Sequence, residues 1–217
     1  MTAGPPRSKA DWFALIHQER ARLAADLTGL ADDRWTTRSL CGDWTVEQTL
    51  AHLTSGASIG TLRWIGSIVG ARFDADLHNA RRLAEHRGTA PELTLRRYRS
   101  IVTSTTVASG HMPAWLGEIV VHGQDIRHPL GIRTVPSVDA SAAVAEFFVS
   151  RNFTVNSKKA VTGLSLTATD GPFHHGTGPE VVGPTIALVM AMAGRHAYLD
   201  ELSGPGLPVL RERTTTF

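Results

Sequence analysis

Glu118, His122 and Asp125 stand in one unbroken stretch, Trp115-Leu116-Gly117-Glu118-Ile119-Val120-Val121-His122-Gly123-Gln124-Asp125-Ile126-Arg127. Read as a helix, it puts Glu118 and His122 one turn apart on the same side, and Asp125 at i+3 stays on that side. A carboxylate and an imidazole at this spacing can grip one divalent ion. Two ligands do not make a tight site, so a third must come from elsewhere, and His52 is the candidate. The set His52, Glu118 and His122 has the composition of a catalytic zinc site: two imidazoles, one carboxylate, and one position left for water or a substrate atom. Zinc is favoured by these donors, although nickel or iron also accept them. Spacing alone leaves a bland alternative standing, an ion pair on a solvated helix.

Other reactive side chains compete less well. Cys41 is the sole cysteine. A lone thiol is more often a small buried apolar group than a nucleophile, and Asp43 beside it opposes ionisation. His174 and His175 fall in an expected hairpin, where adjacent side chains leave opposite faces and cannot easily share one ion. His111 precedes the key helix and can line a cavity. Arg96-Arg97-Tyr98-Arg99 is the densest basic cluster and reads as a solvated helix face. There is no Walker-type phosphate loop.

The elements that must position these groups are mostly helical. Ser8 caps an expected helix to about Thr28, with Trp12, Ile16, Leu23 and Leu27 at helical spacing. Thr45-Val46-Glu47-Gln48 fits a capping box and starts a helix expected to run to about Val69. Its apolar stripe is Val46, Leu50, Leu53, Ala57 and Trp64. His52 lies on a second face with Gln48, Thr49, Ser55, Gly56 and Ile59. That face is small and polar and lacks long charged side chains, as expected beside a partly enclosed cavity. Further helices are expected over 74–86, from Gly88-Thr89-Ala90-Pro91-Glu92 to about Thr106, through the Glu118/His122 stretch to Pro129 and Gly131, and over 137–151.

Near residue 155 the character changes. Gly163 to Thr169 alternates as a strand, and Asp170-Gly171 signals a turn. A glycine-broken extended piece follows from His174 to Val182. Gly183 to Leu199 reads as a helix and Leu207 to Leu210 as a short last strand. The expected fold is therefore α+β, mainly α: a helical bundle over residues 1–155 and a small C-terminal α/β domain over residues 156–217.

Bulk properties exclude several functions. The 217 residues are 42% hydrophobic and 19% charged, ordinary for a globular protein. A net charge of +2, with scattered arginines matched by acids, argues against a nucleic-acid binder. No apolar run approaches the ~20 residues of a membrane span, and no signal peptide is expected from the first residues. One cysteine permits no internal disulfide, which fits a cytoplasmic location. Oligomeric state is not encoded in any recognisable motif.

Three stretches together carry a family resemblance. Cys41-Gly42-Asp43-Trp44-Thr45-Val46 followed by Ala51-His52-Leu53, then Glu118-Ile119-Val120-Val121-His122-Gly123-Gln124-Asp125, then Gly183-Pro184, Gly194-Arg195 and Leu202-Ser203-Gly204-Pro205-Gly206 resemble, in order, the mycothiol-dependent maleylpyruvate isomerase family. The first stretch alone is shared across the wider DinB-like superfamily of metal-binding four-helix bundles. The resemblance implies a DinB-like bundle with His52, Glu118 and His122 as metal ligands, and mycothiol as a thiol cofactor. It implies a catalytic arginine from the C-terminal region, for which Arg195 is the best motif match. A cation favoured by a helix C-terminus is the competing reading of Arg195. Asp125 would orient a histidine ligand or the Arg127 region. The implied partners are a small-molecule thiol and an electrophilic substrate, in isomerisation or S-transfer. The alternative is a non-enzymatic, metal-stabilised helical module that binds a partner or ligand; a zinc hydrolase needing no thiol is weaker still.

Overall fold

The structure is a computed structural model that describes residues 7–58, 82–107 and 110–214. The chain divides into two compact units, Met1–Thr134 and Val135–Phe217. It is mainly helical, with one small sheet among the described residues.

In the first unit, α1 (Lys9–Asp26) begins at a capping box. Ser8 Oγ accepts from Asp11 N, and Asp11 Oδ2 accepts from Ser8 N at 2.8 Å. Helix α2 (Val46–Ser58) begins at the expected second box, where Thr45 N donates to Gln48 Oε1 at 2.8 Å and Gln48 N donates to Thr45 Oγ1 at 3.2 Å. Residues 82–86 are helical. Helix α3 (Pro91–Ser100) carries its proline in the first turn, where no amide is needed, and α4 (Met112–Arg127) does the same with Pro113. The expected end of α2 near Val69, Trp64 and most of 74–86 fall outside the described residues.

Helix α4 packs on α1 and α2, and α3 packs on the same two, closing a four-helix bundle. Ile16, Leu23, Leu50, Leu116, Val120 and Ile126 are fully buried in it. Leu→Ala changes in such a core typically cost about 2–5 kcal/mol, so this packing holds α2 and α4 in register. In α3, Tyr98 turns inward while Arg96 and Arg99 face solvent, as the basic cluster suggested.

The second unit begins with α5 (Val138–Ser150), capped by Ser137, followed by α6 (Ser157–Val161). The sequence boundary at 155 and the structural division at 134/135 differ because α5 packs on α7 (Thr185–Met192) within the second unit. Strand β1 (Ser165–Ala168) lies between β2 (His174–His175), antiparallel, and β3 (Glu180–Gly183), parallel.

Two C-terminal expectations are corrected. The helix expected to Leu199 stops at Met192, because Gly194 adopts φ +81 and Arg195 N reaches back to Met190 O at 2.9 Å. That is a left-handed glycine stop, followed by a 3-10 segment His196–Glu201. Leu207–Thr214 is a helix, α8, rather than a strand: Pro208 sits in its first turn, and Leu210 and Thr214, four apart, form its buried side. No helix among the described residues is long and apolar enough to cross a membrane.

Candidate metal centre

His52 projects from α2, and Glu118 and His122 from α4, at the packed face of these two helices. Glu118 Oε2 lies 3.4 Å from His52 Nε2 and 3.4 Å from His122 Nε2. The two imidazoles meet nearly edge to face, with ring centroids 5.1 Å apart. One donor atom from each residue lies within 4.8 Å of the others. The structure therefore brings together three side chains that the sequence separates by 66 and 4 positions (118 − 52 and 122 − 118).

The separations are long for a direct charge-assisted bond and match those of ligands around one ion. A charge-assisted N–H···O bond would be about 2.7–2.9 Å. Around a tetrahedral ion with ~2.0–2.1 Å bonds to nitrogen and oxygen, neighbouring ligand atoms sit about 3.3 Å apart. Side-chain exposures of 26% for His52, 31% for Glu118 and 13% for His122 leave the cluster partly exposed.

The surroundings favour positive charge there. Burial by itself would raise the Glu118 carboxyl, but hydrogen bonds and charge from His122 and His52 more than offset it and hold the group well below the usual carboxylate range. Burial likewise opposes charging His122, yet Asp125, Cys41 and Glu118 together raise it well above the ordinary imidazole range. A proton or a metal ion meets the same demand.

Asp125 does not face the cluster as a ligand. Its buried carboxylate takes the other ring nitrogen, with Oδ2 2.9 Å from His122 Nδ1. With the proton on Nδ1, the Nε2 lone pair is available to an ion.

The remaining candidates are placed as follows. Cys41 is half-buried and forms a second group with His122 and Asp125, their donor atoms within 4.8 Å of one another. Trp44 packs against the His52 ring at 5.0 Å. In the sequence Cys41 reads as a small buried apolar group or, less well, a nucleophile, and Trp44 has no assigned role; their place in the motif leading to His52 was the signal available. His111 is the exposed cap residue of α4. His174 and His175 are exposed, and His174 Nδ1 pairs with Thr167 Oγ1 at 3.2 Å. Arg195 belongs to the second unit, where its Nη1 donates to Ala193 O at 2.7 Å.

Fold and cluster define a class: a four-helix bundle with a His/Glu/His group between two helices, followed by a small α/β unit. Residues 16–115 match the sequence family described as the mycothiol maleylpyruvate isomerase N-terminal domain. That match covers a little under half of the chain and agrees with the resemblance read from the sequence. The match includes His52 and ends just before Glu118 and His122.

Two crystal structures share the fold. One is of the mycothiol-dependent maleylpyruvate isomerase, at 13% identity and a TM-score of 0.56; the other is of a histidine-to-alanine mutant of it, at 13% and 0.60. Each likeness covers 92% of this chain and 93% of the other. No curated protein matches the sequence.

Proposed function

We propose that this protein is a metal-dependent, thiol-cofactor enzyme of the mycothiol type, acting as an isomerase or S-transferase on an electrophilic small molecule. The observation that carries this reading is the convergence of His52, Glu118 and His122 at the edge lengths of a tetrahedral site. The family domain over residues 16–115 and the shared fold support the thiol cofactor.

A zinc-like ion held by these three residues would supply a Lewis acid that favours the cofactor thiolate, the nucleophile for an electrophilic carbon. His52 and His122 would each present a neutral Nε2 to it and Glu118 an anionic oxygen. Asp125 accepts the Nδ1 proton of His122 and so fixes the tautomer that binding requires. The partial exposure of all three side chains leaves the cluster in contact with solvent. Arg195 is assigned on the family motif as the cation that receives a substrate carboxylate. Arg195→Ala should then lower turnover while metal content stays unchanged.

The test is product analysis with and without a low-molecular-weight thiol of the mycothiol type. A rearranged acid with the thiol regenerated identifies an isomerase, and a stable thioether conjugate identifies a transferase. Turnover that ignores the thiol, or no turnover of any electrophile with it, would contradict the proposal; the latter would favour a metal-stabilised binding module.

A further inference from the structure

The turn from Ser39 to Trp44 is the part of the first unit that the chemistry above does not use, and it reaches both histidines. It is tied to α4 by Leu40 N, which donates to Asp125 O at 3.0 Å. It is tied to α2 by Ser39 Oγ, which accepts from Thr49 Oγ1 at 2.9 Å and also from Cys41 N at 3.1 Å. Ser39 N donates to Trp44 O at 2.8 Å and Trp44 N to Cys41 O at 3.2 Å, closing the turn on itself. Gly42 holds φ +58 within it, a conformation that side-chain-bearing residues rarely adopt.

From this braced loop, two side chains meet the two imidazoles. The Trp44 indole lies 5.0 Å from the His52 ring, tilted at 48°. The Cys41 sulfur joins His122 and Asp125 in a group whose donor atoms all lie within 4.8 Å. Asp125 meets the turn through its backbone and His122 Nδ1 through its carboxylate.

We propose that the Ser39–Trp44 turn is a positioning clamp for the metal centre, with Trp44 holding His52 and Cys41 holding His122 alongside Asp125, so that both Nε2 atoms face Glu118. This rests on the metal reading of His52, Glu118 and His122. The physical content is pre-organisation. An imidazole on a flexible side chain must be oriented before it can bind; a ring already packed on one side and hydrogen-bonded at Nδ1 has lost that freedom on folding. A thiol is a weak donor and acceptor that fits beside a carboxylate–imidazole pair without adding charge.

The experiment measures metal affinity by chelator competition in the full chain, together with the visible spectrum of the cobalt-substituted protein. The variants are Cys41→Ala, Cys41→Ser, Trp44→Ala and Trp44→Phe. Cys41→Ala and Trp44→Ala should weaken Co2+ and Zn2+ binding by about tenfold or more and alter the cobalt bands, with the far-UV spectrum unchanged. Cys41→Ser, which keeps a hydroxyl at the same place, and Trp44→Phe, which keeps a ring, should recover most of the loss. Because Cys41 is the only cysteine, alkylating the metal-free protein with iodoacetamide should reproduce the Cys41→Ala loss.

Unchanged affinity and cobalt spectrum in both alanine variants would overturn the clamp and leave the metal reading standing. Metal binding that survives His52→Ala undiminished would overturn the metal reading, and the clamp with it. Should Trp44→Ala fail to fold, the two Cys41 variants decide: equal loss in alanine and serine, without rescue, counts against the clamp.

Discussion

His122 Nδ1 and Asp125 Oδ2 lie 2.9 Å apart, and the Asp125 side chain is completely buried. The carboxylate is therefore held against that nitrogen, away from solvent. Removing it leaves His122 free to rotate and to change tautomer. Asp125→Ala is expected to weaken metal binding about 10–100-fold, and Asp125→Asn, which still accepts from Nδ1–H, by less. Chelator competition checks both. Equal affinity in all three proteins would remove the orienting role.

A second, half-buried carboxylate has a structural task. Asp26 at the end of α1 accepts from Arg127 Nε at 2.8 Å and from Thr134 Oγ1 at 2.9 Å, joining α1 to the last turn of α4. The Arg127 side chain is only 1% exposed. Asp26→Ala leaves that guanidinium buried without its counter-charge, so a loss of about 3–5 kcal/mol is expected in urea unfolding. Asp26→Ala together with Arg127→Met should recover part of it, because the desolvated charge is then gone. A double variant no more stable than the single one would contradict this account.

The N-terminal cap of α1 titrates. Hydrogen bonds from the Ser8 side chain and then its backbone hold Asp11 below its ordinary pKa. A carboxyl depressed on folding adds stability that is fully present above the unfolded value, near pH 4, and disappears as pH falls through the folded value. The Tm gap between the native protein and Asp11→Ala should therefore be constant at neutral pH and close on acidification below about pH 4. A gap that persists unchanged at low pH would mean that the ionised carboxylate contributes nothing.

Local chemistry was the most legible part of the sequence. Thr45 and Gln48 spell out a capping box and make one, and the small polar face of α2 that carries His52 does pack toward α4. The i,i+4 pair Glu118 and His122 meets at one carboxylate oxygen as helical geometry requires. The misreadings lie where a short apolar run gives no period. Leu207-Pro208-Val209-Leu210 reads equally as strand or helix, and only Leu210 and Thr214 turning inward together decides it. Gly194 closes the apolar run just ahead of Arg195 and His196, a helix-stop signal that the expected end at Leu199 overran. Cys41 and Trp44 were illegible as neighbours of the histidines because their contacts depend on how a turn lies against two helices, which no spacing rule encodes.

The measurement closest to the central claim is elemental analysis of the purified protein beside His52→Ala. The three converging side chains predict about one equivalent of a divalent metal, zinc foremost, in the native protein, and its loss in the variant with the helical far-UV spectrum intact. Metal content that is unchanged by the substitution, or absent from both proteins after zinc loading, would contradict it.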